Sequence, residues 1–200
     1  IAEDEVIPAS DDIATSSTNT RPKPTNGKLA MWLFLGSDFL FFGGFISAYL
    51  IYRGRSLEIA DASTAAGGQP SKILSDVLDI PFTSATSFIL LMSSLTMVLA
   101  LAAIKRNDMR RTKVWLLATA LFGTIFLGGQ IFEFTSFVKE GFTLTTNQSG
   151  STFFVLTGLH GAHVTLGIVW LVSLLGLCFS GKLTSKDSEK VEIAGLYWHF

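Results

Sequence analysis

Four ionisable side chains fall in stretches of this sequence that otherwise look lipid-facing: Asp38 in LGSDFLFF, Glu133 in GGQIFEF, and His160 and His163 in LHGAHV. The chain has only three histidines, and the third, His199, lies in the C-terminal stretch YWHF. A charged group at the centre of a bilayer costs roughly 2.5 to 3.5 kcal/mol on insertion scales, so each one demands a partner or a task. His160 and His163 lie about one helical turn apart and could offer two metal ligands, but a stable site needs three or four, and His199 belongs to a different helix. A bis-histidine haem would need one histidine from each of two helices, and no histidine occurs before His160. The single cysteine, Cys178, excludes an internal disulfide and a thiolate cage. No metal or cofactor is therefore expected on this chain, and the histidines read as polar glue between helices. Gln130 and Glu133 share a helix face at i, i+3 spacing, so Gln130, Glu133 and His160 form the expected cluster. Asp38 is the candidate for proton chemistry. It stands among Phe39, Leu40, Phe41 and Phe42 with no basic residue in its own apolar run, which leaves structural hydrogen bonding and proton handling both open.

The elements that must carry these groups are membrane helices. With 200 residues, 48% of them hydrophobic, seventeen Phe and 16% charged, the chain is too apolar for an ordinary soluble domain. A bilayer core of about 30 Å needs roughly 20 apolar residues at about 1.5 Å each. Four runs meet this: Leu29 to Tyr52, Phe82 to Ile104, Val114 to Val138 and Phe153 to Phe179. Ile193 to Phe200 begins a fifth, truncated in this sequence. The expected fold is all-α and polytopic, a bundle of five transmembrane helices. At about 1.5 Å per residue, Asp38 lies roughly 13 Å into the first run, Glu133 roughly 8 Å from the end of the third, and His160 roughly 10 Å into the fourth with His163 a turn deeper. Small residues around them, Gly158 with Ala162 and Gly161 with Thr165, are expected to let helices approach closely. Gly128 and Gly129 stand beside Glu133, and Gly36, Gly43, Gly44 and Ser47 surround Asp38 in the same way.

Cations orient the bundle. Arg21, Lys23 and Lys28 precede the first run, Lys105, Arg106, Arg110, Arg111 and Lys113 follow the second, and Lys182, Lys186 and Lys190 follow the fourth. The opposite side has only Arg53, Arg55, Lys72 and Lys139, so the N-terminus is expected on the cytoplasmic side. Residues 1–28 mix acids with TSSTNT and RPKP and form an expected disordered cytoplasmic arm, leaving 29–200 as the membrane domain. Residue 1 is Ile rather than Met, which suggests processing or further residues upstream. In the outer loop from Arg53 to Pro81, SKILSDVLDI places Ile73, Leu74, Val77 and Leu78 on one face of a short amphipathic helix with Ser71 as cap. The net charge of −1 and the absence of a basic patch point away from nucleic acid.

GSTFFVLTGLHGAHV (Gly150 to Val164), preceded by GQIFEF (Gly129 to Phe134) and followed by GLYWHF (Gly195 to Phe200), resembles subunit III of the cytochrome c oxidase family of haem-copper oxidases. MWLFLGSDFLFF (Met31 to Phe42) is similar to that family's first core helix with its intramembrane acid, and the matches run in order over about residues 29 to 200. The resemblance implies a subunit of the short five-helix bacterial type in the inner membrane, without haem or copper of its own. The haem and copper would reside in partner chains, the catalytic subunit I and subunit II, and a phospholipid would occupy a cleft between helices. Asp38 stands where the family usually has Glu, a buried carboxyl facing subunit I, and Glu133, His160, His163 and His199 match motif positions. The implied roles are to stabilise subunit I during turnover and to support proton uptake in aerobic respiration. The chain departs from the family before YWHF, where KDSEKVE keeps Glu192 but lacks the usual paired histidines, so a headgroup contact from those histidines is not implied here.

A different class of function, an independent small proton or cation transporter using Asp38 and Glu133, predicts an internal repeat or broken helices. No Pro interrupts a complete run, and the first and third runs share only glycine pairs and one acid each.

Overall fold

The computed structural model describes residues 25–65, 79–145, 148–184 and 187–200. The expected N-terminal arm up to residue 24 and the amphipathic segment up to residue 78 lie outside the described residues. The described chain is all-helical: α1 (Asn26–Ala65), α2 (Ile80–Lys105), α3 (Met109–Lys139), α4 (Gln148–Phe179) and α5 (Ser188–His199). The first four are long and apolar enough to cross a membrane.

Each run is extended by its capping residues. Asp79 caps α2 by accepting a hydrogen bond from the Phe82 amide at 3.3 Å, with Pro81 in the first turn where its missing N–H is harmless. Asp108 caps α3 in the same way through the Arg111 amide at 3.1 Å. The C-termini of α2, α3 and α4 are closed by left-handed residues, Asn107 (φ 59°), Gly141 (φ 80°) and Gly181 (φ 68°). Behind each, the next amide turns back to the helix: Asp108 N to Ala103 O at 3.0 Å, Phe142 N to Phe137 O at 2.9 Å, Lys182 N to Leu177 O at 3.1 Å.

One boundary differs from expectation. The apolar pattern predicts an outer loop from Arg53, but α1 continues as helix to Ala65, 40 residues in all and so about 60 Å long. RSLEIADASTA contains Leu57, Glu58, Ala60 and Ala62, good helix formers, and the single Gly54 costs only about 1 kcal/mol. The run's hydropathy marked where the membrane ends, not where the helix ends.

α2 packs on α3 and α5, α3 on α4, and α4 on α5, while α1 packs chiefly on α4 and α5. The core is correspondingly built from α2 to α5: Met97, Ile104, Leu116, Leu171, Cys178 and Val191 are almost completely enclosed. No α1 residue belongs to it. A second, aromatic cluster at the opposite end groups Phe137, Phe142 and Phe154 with Phe134 and Phe153, rings meeting edge-to-face or stacked. Outward-facing positions of α1 to α4 are apolar, including Leu33, Leu40, Leu91, Ile131 and Leu166, which suits a lipid solvent rather than water.

α1 is fastened to the rest at the cation-rich end. Lys28 Nζ lies 2.8 Å from Glu192 Oε1, Lys105 Nζ lies 3.6 Å from Glu192 Oε2, and Thr25 hydrogen-bonds Glu189. The Lys28 hydrogen bond, helped by the Lys105 charge, holds the Glu192 carboxyl below the usual glutamate range. Glu192 therefore ties α1 and α2 to the start of α5.

Candidate site between α1, α4 and α5

Asp38 is only 8% exposed, and its partner comes from α4: His163 Nδ1 lies 3.3 Å from Asp38 Oδ2. That approach is a close contact rather than an aligned hydrogen bond, since Asp38 Oδ2 has no hydrogen-bond partner. The His163 ring is held from two sides. Phe42, one turn beyond Asp38 on α1, meets it edge-on at 5.3 Å between centroids, and Tyr197 of α5 stacks on it at 6.1 Å and 20°. Tyr197 Oη also donates to the His163 carbonyl at 3.1 Å.

The expected cluster of Gln130, Glu133 and His160 is not what forms. Glu133 Oε1 accepts a 2.6 Å hydrogen bond from Thr83 Oγ1 on α2, so this acid joins α3 to α2 rather than to α4. Gln130 does join α3 to α4, but through the main chain: Nε2 donates to the Thr157 carbonyl at 2.6 Å, and its Oε1 is buried without a partner. His160 turns its ring edge towards Phe126 at 6.0 Å and lines a cleft. The i, i+3 face shared by Gln130 and Glu133 is broad enough to meet two neighbouring helices, one residue each.

The packing role of the small residues is also redistributed. A Cβ on Gly161 would lie 2.9 Å from Gln130 Oε1, so this glycine does admit a neighbour. Gly158 has open space around it and Ala162 is exposed, so within this chain neither serves helix contact. The close approaches missed in the sequence belong to Trp198. Its indole fits between Gly123 of α3 and Gly167 of α4, where added Cβ atoms would lie 2.5 Å and 2.9 Å from ring carbons. Its Nε1 donates to Ser93 Oγ of α2 at 2.9 Å. Large YWHF aromatics beside helices with isolated glycines are the signal that could have found this.

A cleft of about 690 Å³ opens beside these groups, walled by α1, α2, α4 and the end of α5. His160, His163 and His199 all line it, with Phe39, Phe42 and Leu90 supplying apolar wall. His199 is hydrogen-bonded to Ser94. Among the described residues no three of His, Cys, Asp and Glu converge closely enough to hold a metal ion.

The profile of the family described as cytochrome c oxidase subunit III matches residues 12–200, nearly the whole chain. The chain belongs to the cytochrome c oxidase subunit III family. It is 36% identical over 176 residues to cytochrome c oxidase subunit 3 of Alkalihalophilus pseudofirmus, covering 88% of this chain and 80% of that one. Quinol oxidase subunit 3 of Bacillus subtilis is 34% identical over 172 residues, 86% of this chain and 78% of its own. Cytochrome c oxidase subunit 3 of Bacillus sp. strain PS3 is 32% identical over 187 residues, 94% and 84% respectively. As a subunit III family member the chain has the expected architecture, helical and membrane-compatible, and its buried polar groups join helices of one bundle.

Proposed function

We infer that this chain is a non-redox subunit of a haem-copper terminal oxidase in a bacterial inner membrane. It packs against the catalytic subunit I and, with subunit II, belongs to the complex that reduces oxygen to water. The haem and copper belong to those partner chains. What carries the reading is the family match over residues 12–200 together with an outer belt of apolar side chains on four membrane-length helices. The relatives are described both as quinol oxidase and as cytochrome c oxidase subunits, so the electron donor is a property of the partner chains. The cleft between α1, α2 and α4, apolar on most of its wall, suits a phospholipid chain.

The same reading assigns Asp38 to proton handling in support of uptake by subunit I, with His163 as its exchange partner. Favouring this over a purely structural role is the buried Oδ2, which no hydrogen bond ties to a structural partner and which stands beside an imidazole. An independent transporter using Asp38 with Glu133 has less support. Asp38 contacts α4 and Glu133 contacts α2, and no hydrogen bond or ion pair among the described residues joins the two acids.

Purification from native membranes in mild detergent tests the assignment. A large haem-bearing chain should accompany this one, whereas a lone homo-oligomer would refute the reading. The chain separated from its partners should show neither a haem spectrum nor stoichiometric copper.

A further inference from the structure

The geometry points to Tyr197 as the positioning residue that holds the His163 imidazole against Asp38. This rests on the proton role of Asp38 proposed above. Tyr197 belongs to α5, yet it touches both helices that carry the pair. On α4 its ring stacks on His163 at 6.1 Å and its hydroxyl donates to the His163 carbonyl at 3.1 Å. On α1 the ring stacks on Phe34 at 6.3 Å and 22°, and Phe34 stands one turn before Asp38 on the same face. Trp170 backs the ring at 5.6 Å.

Gly167 makes this seat possible, because a Cβ there would lie 3.3 Å from Tyr197 Cε1. The ring can thus lie close along α4 one turn beyond His163. Farther down α5, Glu192 grips Lys28 at the start of α1. Two anchor points on one short helix fix both the height and the rotation of α1 against α4. The close contact needs that help, since a 3.3 Å approach with no aligned hydrogen bond does not orient an imidazole by itself. Phe42 meets the ring in a T-shaped contact, not a parallel one.

The other titratable groups around the pair are His160 on α4 and His199 on α5, both on the wall of the cleft that His163 shares. No Lys, Arg, Glu or second Asp among the described residues forms an ion pair or hydrogen bond with either member.

The test uses the intact complex in membranes, with His163→Ala, Tyr197→Ala, Tyr197→Leu and Tyr197→Phe. Infrared difference spectra against Asp38→Asn isolate the Asp38 carboxyl band, and a hydrophobic carbodiimide measures how fast that carboxyl is modified at each pH. If Tyr197 positions His163, Tyr197→Ala should move the band and the pH profile to those of His163→Ala. Its carboxyl modification rate should change to that of His163→Ala, about threefold or more away from the wild type, as expected when a buried carboxyl loses its polar neighbour. Tyr197→Phe keeps the stacked ring and should recover most of the wild-type behaviour, as a space-filling role also requires, so the discriminating variant is the one that fills space without a ring. Tyr197→Leu fills the seat without a flat face and should behave like Ala, giving a second variant should the cavity in Tyr197→Ala prevent assembly. A wild-type band and profile in Tyr197→Ala or Tyr197→Leu, beside a shifted His163→Ala, overturns the positioning role and leaves the proton role standing. A carboxyl band that never titrates in the wild type overturns the proton role, while the band position in the variants still decides whether Tyr197 sets the contact.

Discussion

Adding one methyl group at Gly123 tests the tightest joint of the bundle. In Gly123→Ala the new Cβ would lie 2.5 Å from Trp198 Cη2, 2.9 Å from Cζ2 and 3.2 Å from Ile168 Cγ1. Carbon atoms rest at about 3.5 to 4.0 Å, so the indole must retreat by about 1 Å. It has little room to retreat: Gly167 bounds another part of the ring, with its own virtual Cβ 2.9 Å from Cε3 and Cζ3, and Nε1 is held by Ser93 Oγ at 2.9 Å. Overpacking of this kind costs about 1 to 3 kcal/mol. A strained or broken interhelical hydrogen bond adds about 0.6 kcal/mol. Replacing Gly by Ala within a helix returns about 1 kcal/mol of backbone propensity. The balance is a destabilisation of about 0.6 to 2.6 kcal/mol. Denaturation of the purified complex in mixed detergent, followed by the release of this chain, measures it. A double-mutant cycle sharpens the result, because Trp198→Phe shortens the ring system and should relieve most of the clash, giving a coupling of about 1 kcal/mol or more. Gly123→Ala with wild-type stability, or simple additivity with Trp198→Phe, would refute the wedge.

Glu133 is expected to couple to Thr83 and not to His160. Glu133→Ala and Thr83→Val should be non-additive in complex stability by about 0.5 to 1.5 kcal/mol, while Glu133→Ala and His160→Ala should add independently. Coupling to His160 instead would contradict the observed pairing. Gln130→Ala should loosen α3 from α4 by about 0.6 kcal/mol or more, read by the same denaturation, since the Thr157 carbonyl contact is lost; no change would count against it. Glu192 gives a pH dependence of definite sign. Its carboxyl is depressed in the folded chain, so the stability it contributes is present above the ordinary glutamate value of about 4.3 and is lost as pH falls through the lower folded value. Amide hydrogen exchange at the start of α1, measured at each acid pH and corrected for the intrinsic rate, should rise as pH falls through that window and stay raised below it, and Glu192→Gln should exchange readily at all pH values. Equal protection in Glu192→Gln would remove the latch. Asp187 follows the same direction, held down to about 2 by hydrogen bonds from Lys190 and Thr184, so the turn before α5 should loosen only as pH falls towards that value.

The sequence by itself determined the number of membrane helices, their approximate spans, the polar groups within them and the family. Each is a local quantity. An apolar run long enough to cross a bilayer announces itself without reference to any neighbour, and capping residues such as Asp79, Asp108, Gly141 and Gly181 close it from within a few positions. Depth along the bilayer was legible too. Nine residues in from one end for Asp38 and ten in from the other for His163 put both near the middle, roughly 13 Å and 15 Å from opposite faces. That arithmetic already permitted the pair. What it lacked was the rotation and order of the helices, because lipid tails are as apolar as leucine and a helix in lipid has no polar face that must point outward. Adjacency in sequence suggested that Glu133 and His160 would meet, since α3 and α4 are consecutive. Tertiary packing instead set Glu133 against α2, carried α1 across to α4 and α5, and brought Asp38 to His163 under Tyr197. Only side-chain shape at the contacts, such as the indole of Trp198 between two glycines, chose that arrangement from the alternatives the hydrophobic pattern allowed equally.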